Sequence, residues 1–166
     1  MKNTAYILLV LLAAGGLLWA ASGDGEPTDA GADTAELHSN WVTDFEAAKK
    51  EAAERKVPIL ADFSGSDWCG WCIKLDSEVF SREDFQEYAK DNLVLFLADF
   101  PAAKPQPEEL KKQNQGLAEK YAVRGFPTVL LLNSDGEVLL RTGYRRGGAA
   151  EYVKHLKEAL NARNGI

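Results

Sequence analysis

The sequence contains few of the side chains that cross-link a fold. Among 166 residues there are two cysteines, Cys69 and Cys72, and two histidines, His38 and His155. A framework of disulfides that closes long loops, as in small secreted domains, is therefore excluded. A structural zinc site needs four ligands, and both histidines lie far from the cysteines in sequence, so no metal is expected.

The sequence also lacks a block of basic residues. Its formal net charge is −6, and most of the negative charge lies in residues 1–36, which hold one lysine and five acidic residues. The rest of the chain is nearly neutral, whereas binding to phosphates requires clustered lysine and arginine. Nucleic acid is therefore not an expected partner.

One long hydrophobic run is present, at the N-terminus. Residues 5–21 are uncharged and rich in leucine, and as a helix they would span roughly 25 Å, slightly less than the ~30 Å hydrocarbon core of a bilayer. Residues 1–22 are predicted to be either a signal peptide or an uncleaved membrane anchor, and both alternatives stay open. The positive charge before this run and the acidic residues after it place the remainder in the periplasm or another extracytoplasmic compartment, secreted or anchored.

The remainder divides into two predicted parts. Residues 23–36 contain no large apolar side chain, so they are predicted to be a flexible acidic linker. Residues 37–166 are predicted to form the folded domain. Its hydrophobic pattern predicts helices and strands in the order α-β-α-β-α-β-β-α, which indicates an α/β fold with a central mixed sheet flanked by helices on both faces.

Local signals give approximate boundaries within this domain. A capping box of Thr43 and Glu46 is predicted to open the first helix, and Ser81 is predicted to open the third. Residues 100–113 are predicted to be a long polar loop before a helix around residues 115–122. The predicted strands, the last two joined by a hairpin turn, are residues 57–63, 93–97, 128–132 and 138–142.

The two cysteines lie three positions apart, directly after a predicted buried strand and at the start of a predicted helix. A bond between them would close a very small loop and stabilise the fold little. At a helix N-terminus, however, the first thiol can be stabilised as a thiolate, and the second can attack a mixed disulfide formed by the first. The pair therefore predicts a reversible redox switch. The alternatives weighed against it are a structural disulfide, inert buried thiols and a metal site.

Two motifs of residues 41–160 resemble the thioredoxin family. Trp68-Cys69-Gly70-Trp71-Cys72, preceded by Leu60-Ala61-Asp62-Phe63, resembles the active-site loop of that family and the strand before it. Tyr121-Ala122-Val123-Arg124-Gly125-Phe126-Pro127-Thr128 resembles its second signature. Exported or membrane-anchored bacterial thioredoxin-like proteins, including the C-terminal domain of DsbD, look similar because they share the longer segment 64–72 and a long loop after the next strand.

The resemblance implies roles for individual residues. Cys69 would be the nucleophile and Cys72 the resolving thiol, while Pro127 would be cis and face the dithiol. Asp62 would be the buried acid that moves the proton of the resolving thiol, although the lysine that pairs with this acid in thioredoxin is absent, with Leu95 near its place. The side chains implied to contact the substrate are Trp68, Trp71 and Phe126.

Two further features of the sequence lead to predictions about the surroundings of the cysteine motif. Asp67, which precedes the motif, is expected to be a solvated loop acid. The long loop after the second strand is expected to border the dithiol and to select partners, with a tolerated surface insertion as the alternative.

The function implied is that of a thiol–disulfide oxidoreductase, a reductase or isomerase acting on exported proteins without a cofactor. Trp71 brings neither proline nor positive charge between the cysteines, which favours a reductant or isomerase over a strong oxidant. The expected partners are protein disulfides, a membrane thiol electron donor and, if residues 1–22 are uncleaved, the membrane. The chain is expected to be a monomer. The alternative is a chaperone-like or substrate-binding module in which redox activity is secondary.

Overall fold

The computed structural model describes residues 40–164. The predicted signal peptide or anchor (residues 1–22) and the predicted linker (residues 23–36) lie outside the described residues. Within residues 40–164, no helix is long and apolar enough to cross a membrane.

The described chain alternates helices and strands and ends in a hairpin followed by a long helix. A π-helical turn, Asp76–Phe80, continues directly from the second helix. The elements in chain order are α1 (Phe45–Arg55), β1 (Ile59–Ser64), α2 (Gly70–Leu75), α3 (Glu83–Asn92), β2 (Val94–Asp99), α4 (Glu108–Lys120), β3 (Thr128–Leu132), β4 (Val138–Thr142) and α5 (Gly148–Asn164).

The four strands form one mixed sheet in the order β2-β1-β3-β4. β1 pairs in parallel with β2 and antiparallel with β3, and β3 pairs antiparallel with β4. Val42, which precedes α1, adds an isolated parallel bridge to Phe96 on the outer edge of β2. The predicted mixed sheet is therefore confirmed.

Side chains of the strands alternate between two apolar layers, as the pleat of a sheet requires. One layer contains Leu60 and Leu131 and packs against the π-helical turn, α3 and α5. The other contains Phe63 and Leu130 and packs against α1 and α4. Both faces of the sheet are thus covered, and every residue of β1 is buried.

The boundaries of β3 and β4 agree with the sequence prediction, and the turn between them explains why. Asn133 Oδ1 accepts hydrogen bonds from the backbone N–H groups of Asp135 (3.0 Å) and Glu137 (2.8 Å). Gly136 has a φ of +84°, in the left-handed region that favours glycine. This turn chemistry is local, so the sequence alone predicts it.

Three predicted helix starts are wrong, and β1 and β2 are shifted from the predicted residues 57–63 and 93–97. Asp44, and not Thr43, caps α1, since its carboxylate accepts the backbone N–H of Ala47 at 2.9 Å. α3 begins at Glu83, with Arg82 rather than Ser81 at the N-cap position. α4 begins at Glu108, which shortens the predicted loop to residues 100–107.

Candidate active site

The topology brings four loops to one edge of the sheet. β4, like β1, is antiparallel to β3, so β1, β2 and β4 all run in the same direction. Their carboxyl ends therefore meet the amino end of β3. The segments at this edge are residues 65–69, 100–107, 125–127 and 143–147, and a cleft outside the carboxyl ends of strands is a common place for a site in α/β proteins.

The two cysteines lie at this edge, at the start of α2. Cys69 is the N-cap residue of α2, and its Sγ accepts the backbone N–H of Cys72 at 3.2 Å. The two residues form a disulfide with their Cα atoms 5.2 Å apart. Cys69 is 6% exposed and Cys72 is 4% exposed, so both side chains are largely buried.

This position can activate Cys69 once the disulfide is reduced. The first N–H groups of a helix have no partners within the helix, and the helix dipole is positive at this end. Both effects favour a thiolate at the N-cap position. Cys72 lies within the first turn of the same helix, where its thiol can reach Cys69. The geometry therefore supports disulfide exchange through the pair.

Trp68 forms one wall beside the dithiol, although it is 53% exposed. Its indole Nε1–H donates to the backbone oxygen of Phe100 at 2.8 Å. Its ring also meets Phe126 edge-to-face, with the centroids 5.9 Å apart and the planes at 80°. Phe126 in turn packs on Phe100 at 4.9 Å. The loop after β2 and the loop before β3 thus both hold the Trp68 ring in place.

Gly65 leaves the space that the Trp68 ring occupies. A Cβ atom at Gly65 would lie 2.5 Å from Cε2 of that ring, closer than such atoms approach. The backbone oxygen of Gly65 also accepts the N–H of Cys69 at 2.8 Å, so this residue fixes both the ring and the turn that leads into α2.

Asp67 is more than the solvated loop acid that the sequence predicted. Its carboxylate accepts three backbone N–H groups, those of Ala102 (2.8 Å), Ala103 (2.7 Å) and Lys104 (3.1 Å). The hydrogen bonds from Ala102 and Ala103 hold the pKa of Asp67 below its usual value. The carboxylate thus fastens the loop after β2 to the segment before the dithiol.

A second carboxylate strengthens the same connection. Asp99, the last residue of β2, accepts the backbone N–H of Ser66 at 2.9 Å and its hydroxyl at 2.7 Å. The buried amide of Asn114 donates to the backbone oxygen of Asp99 at 2.9 Å, which ties α4 to this point. Contacts of residues 100–104 with Asp67 and Trp68 place the start of the loop beside the segment directly before the dithiol, whereas its role in partner selection stays a prediction.

Pro127 follows a cis peptide bond with Phe126, directly before β3. The loop after β4 approaches it closely, since a Cβ atom at Gly143 would lie 3.0 Å from the backbone oxygen of Pro127. The hydroxyl of Tyr152, a buried residue of α5, donates to the backbone oxygen of Gly143 at 3.2 Å. Glycine at position 143 therefore allows two loops of the site to meet.

Asp62 is buried in the middle of β1, 6% exposed. Its register partners are Leu97 on β2 and Val129 on β3. Leu95, which the sequence placed near the missing lysine, pairs instead with Leu60. The negative charge of Asp62 also adds to burial in raising the pKa of Tyr152. Asp62 thus lies between two apolar register partners, on the sheet face that α5 covers.

Trp71, between the cysteines, is 57% exposed and contacts a residue that the sequence analysis missed. Its ring packs on Tyr144 with the centroids 5.1 Å apart and the planes at 46°. The signal available for Tyr144 in the sequence was an aromatic residue in a glycine-rich loop directly after the last strand.

Within residues 40–164, no group of three or more histidine, cysteine or acidic side chains could hold a metal ion.

Comparisons with known proteins agree with this geometry. The sequence pattern of a family described as thioredoxin-like domain matches residues 45–160. The disulfide bond reductase DsbH of Chlamydia pneumoniae is 38% identical over 123 residues, which cover 74% of this chain and 74% of the relative. A solved structure described as DsbH oxidoreductase superposes with a TM-score of 0.70 at 36% identity and covers 73% of this chain and 83% of its own. The thiol:disulfide interchange protein DsbD of Klebsiella pneumoniae is 30% identical over 110 residues, which cover 64% of this chain but 17% of the relative.

Proposed function

The chain belongs to the thioredoxin-like family and is a thiol–disulfide oxidoreductase, and we propose that it acts as a disulfide reductase on exported proteins. The observation that carries this proposal is the Cys69–Cys72 pair at the N-terminus of α2. The resemblance to the thioredoxin family, including DsbD, is confirmed by the comparisons.

We assign the two steps of the reaction to the two cysteines. The thiolate of Cys69 attacks one sulfur of a client disulfide, forms a mixed disulfide and releases the first client thiolate. The thiolate of Cys72 then attacks Sγ of Cys69, which releases the second client thiolate and closes the Cys69–Cys72 disulfide. Two electrons pass to the client, and the two thiolates that leave take up protons. A dithiol donor returns the pair to its reduced form by the reverse exchange.

Supporting roles fall to five further residues. Trp68, Trp71 and Phe126 present aromatic surface around the dithiol and would bind the client chain. Pro127 would leave the backbone beside it open to pair with an extended client segment. Asp62, buried below the sheet edge, would take part in moving the proton of Cys72.

The direction of electron flow rests on two supports. One relative is named as a disulfide bond reductase, and it covers most of this chain. Trp71 also places no positive charge between the cysteines, so the Cys69 thiolate is stabilised less than the corresponding thiolate in strong oxidants of the thioredoxin family. A measured reduction potential near or above about −120 mV would contradict the proposal.

The site of action proposed is extracytoplasmic, with a membrane-embedded thiol donor. The support lies in the hydrophobic run at residues 5–21, the acidic tract after it and the similarity to Dsb proteins. If residues 1–22 stay attached, they would hold the domain near such a donor and raise its effective concentration.

The experiment that tests the assignment is a trap in the full-length protein. Cys72→Ser should accumulate a mixed disulfide between Cys69 and its client or donor, because the second step is removed. Wild-type protein should reduce the disulfides of insulin, and Cys69→Ser should abolish that activity. Insulin reduction that survives in Cys69→Ser would overturn the assignment.

A chaperone-like module is the second candidate, and the exposed apolar residues favour it. Trp68, Trp71 and Ile73 are each at least half exposed in the described chain, and exposed apolar patches often bind proteins. If this function dominates, Cys69→Ser should still suppress the aggregation of unfolded clients as well as wild type does.

A further inference from the structure

Trp71 is held from the side by a loop that is distant in sequence. Tyr144 lies two residues beyond β4, and its ring packs against the Trp71 indole with the centroids 5.1 Å apart. A residue between the two cysteines, half exposed at the start of a helix, would otherwise sample several rotamers. The contact with Tyr144 restricts that freedom.

Tyr144 is itself fixed by a hydrogen bond to the helix that follows the dithiol. Its hydroxyl donates to Glu78 Oε2 at 2.6 Å. The hydrogen bond to Glu78 raises the pKa of Tyr144, and hydrogen bonds from Lys74 and Tyr144 lower the pKa of Glu78. Both shifts are those expected of a phenol that donates to an ionised carboxylate.

Lys74 contacts both Glu78 and the ring of Tyr144. Its Nζ lies 2.8 Å from Glu78 Oε1 and 5.9 Å from the centroid of the Tyr144 ring. Lys74 and Glu78 are four positions apart, in α2 and in the π-helical turn. An exposed ion pair of this kind contributes little to stability by itself. Here the ion pair holds the Glu78 carboxylate where it accepts the Tyr144 hydroxyl. Tyr144 is thereby connected to α2, the helix that carries Trp71.

The backbone before Tyr144 is anchored as well. The oxygen of Gly143 accepts the hydroxyl of buried Tyr152 at 3.2 Å, and Gly143 lies against the backbone oxygen of Pro127. Tyr144 is thus held through its backbone on one side and through its hydroxyl on the other. Among the described residues that make these contacts, Trp71 is the exposed one that borders the dithiol.

We propose that Tyr144 is a positioning residue, which fixes the indole of Trp71 in the orientation that binds a protein client. The inference rests on the proposed function, because it assumes that Trp71 contacts the client. Tyr144 acts through Trp71 and not on the sulfur atoms. Its loss should therefore weaken the binding of protein disulfides and leave the exchange chemistry of the dithiol unchanged.

The test compares KM and kcat for insulin with the rate of reduction of a small disulfide, oxidised glutathione, in the full-length protein. Tyr144→Ala should raise KM for insulin by about threefold to tenfold, as expected for the loss of one aromatic contact. Its kcat, its reduction potential and its rate with oxidised glutathione should match wild type. Tyr88→Phe, which alters a tyrosine of α3, is the matched control and should change none of these values.

A double-mutant cycle separates positioning from direct contact with the client. In a Trp71→Ala background, Tyr144→Ala should cause no further rise in KM, since its effect passes through the indole. Tyr144→Phe and Glu78→Ala break the same hydrogen bond, so each should give a similar, smaller rise and the double variant no more than either. These two variants keep the test valid if Tyr144→Ala does not fold.

Three results would overturn the inference: an unchanged KM for Tyr144→Ala, additive effects with Trp71→Ala, or a changed reduction potential. Failure of the proposed function gives a different result. Wild-type protein would then reduce neither insulin nor oxidised glutathione, whereas failure of this inference alone leaves wild type active on both.

Discussion

Replacing Gly65 with alanine tests how the dithiol loop is held. A Cβ atom there would lie 2.5, 2.6 and 2.8 Å from three atoms of the Trp68 ring, all inside contact distance. The backbone of Gly65 cannot move away freely, because its oxygen accepts the N–H of Cys69 at 2.8 Å. The indole must therefore swing outward, which breaks its hydrogen bond to Phe100 and its packing on Phe126.

The size of the effect follows from these two broken interactions of the indole. A hydrogen bond of this type contributes about 0.5–1.5 kcal/mol to the free energy of unfolding, and an edge-to-face aromatic pair about 0.5–1.5 kcal/mol. Trp68 is half exposed, so the lower part of the sum applies. We expect Gly65→Ala to lower the free energy of unfolding by about 1–2 kcal/mol.

The assay is urea unfolding followed by circular dichroism, with tryptophan emission of the folded protein as a second readout. Emission should shift to longer wavelength as Trp68 enters solvent. Gly116→Ala is the matched control, because a Cβ there meets no atom within 4 Å apart from its chain neighbours and the nearby backbone of its own helix, α4. It should stabilise the protein by about 0.5–1 kcal/mol. Unchanged stability and emission in Gly65→Ala would refute the steric reasoning.

Two further predictions concern side chains that support the same edge of the sheet and the hairpin. Asp67→Ala removes the acceptor of three backbone N–H groups, so it should destabilise the protein at pH 7. The pKa of Asp67 is lowered in the folded state, so its contribution is present above its ordinary value of 3.8 and is lost as the pH falls through the lower folded value. The stability difference between wild type and Asp67→Ala, measured by urea unfolding, should be constant from neutral pH to about pH 5 and shrink below pH 3.8; a difference that persists undiminished at the lowest pH would contradict this. Tyr121→Phe removes the hydrogen bond from the buried tyrosine hydroxyl to the backbone oxygen of Gly136 at 2.9 Å, and should cost about 1 kcal/mol in the same assay, with no loss of insulin reduction.

Local chemistry explains which parts of the fold were predictable from sequence. The hairpin between β3 and β4 depends on neighbouring residues, so its strands were predicted correctly. The start of α1 was not, because Thr43 and Asp44 can both cap a helix and the spacing to Glu46 favours the wrong one. α4 was underestimated because it buries few side chains, Asn114 and Leu117. The better signal for its start was Pro107 followed by two acidic residues.

In the candidate active site, too, only the features that depend on neighbouring residues were predictable from sequence. The cysteine pair and Pro127 stand in short motifs, so their positions in the fold could be anticipated from sequence. The connection made by Asp67 could not, since its three donors come from residues 102–104, more than 30 positions away. Tyr144 was missed for the same reason. Only the strand directions bring the loop after β4 to the dithiol, and sheet order is not a local property of the sequence.

The bridge made by Val42 has a consequence for aggregation. β2 is an outer strand, and a free outer strand is a template for pairing with a second molecule. Val42 occupies part of that edge, since its N–H donates to the oxygen of Leu95 at 2.8 Å and its oxygen accepts the N–H of Leu97 at 2.9 Å. A domain that began at Thr43 would uncover these groups beside the apolar strand β2. We therefore expect the loss of Val42 to favour self-association through the edge of β2.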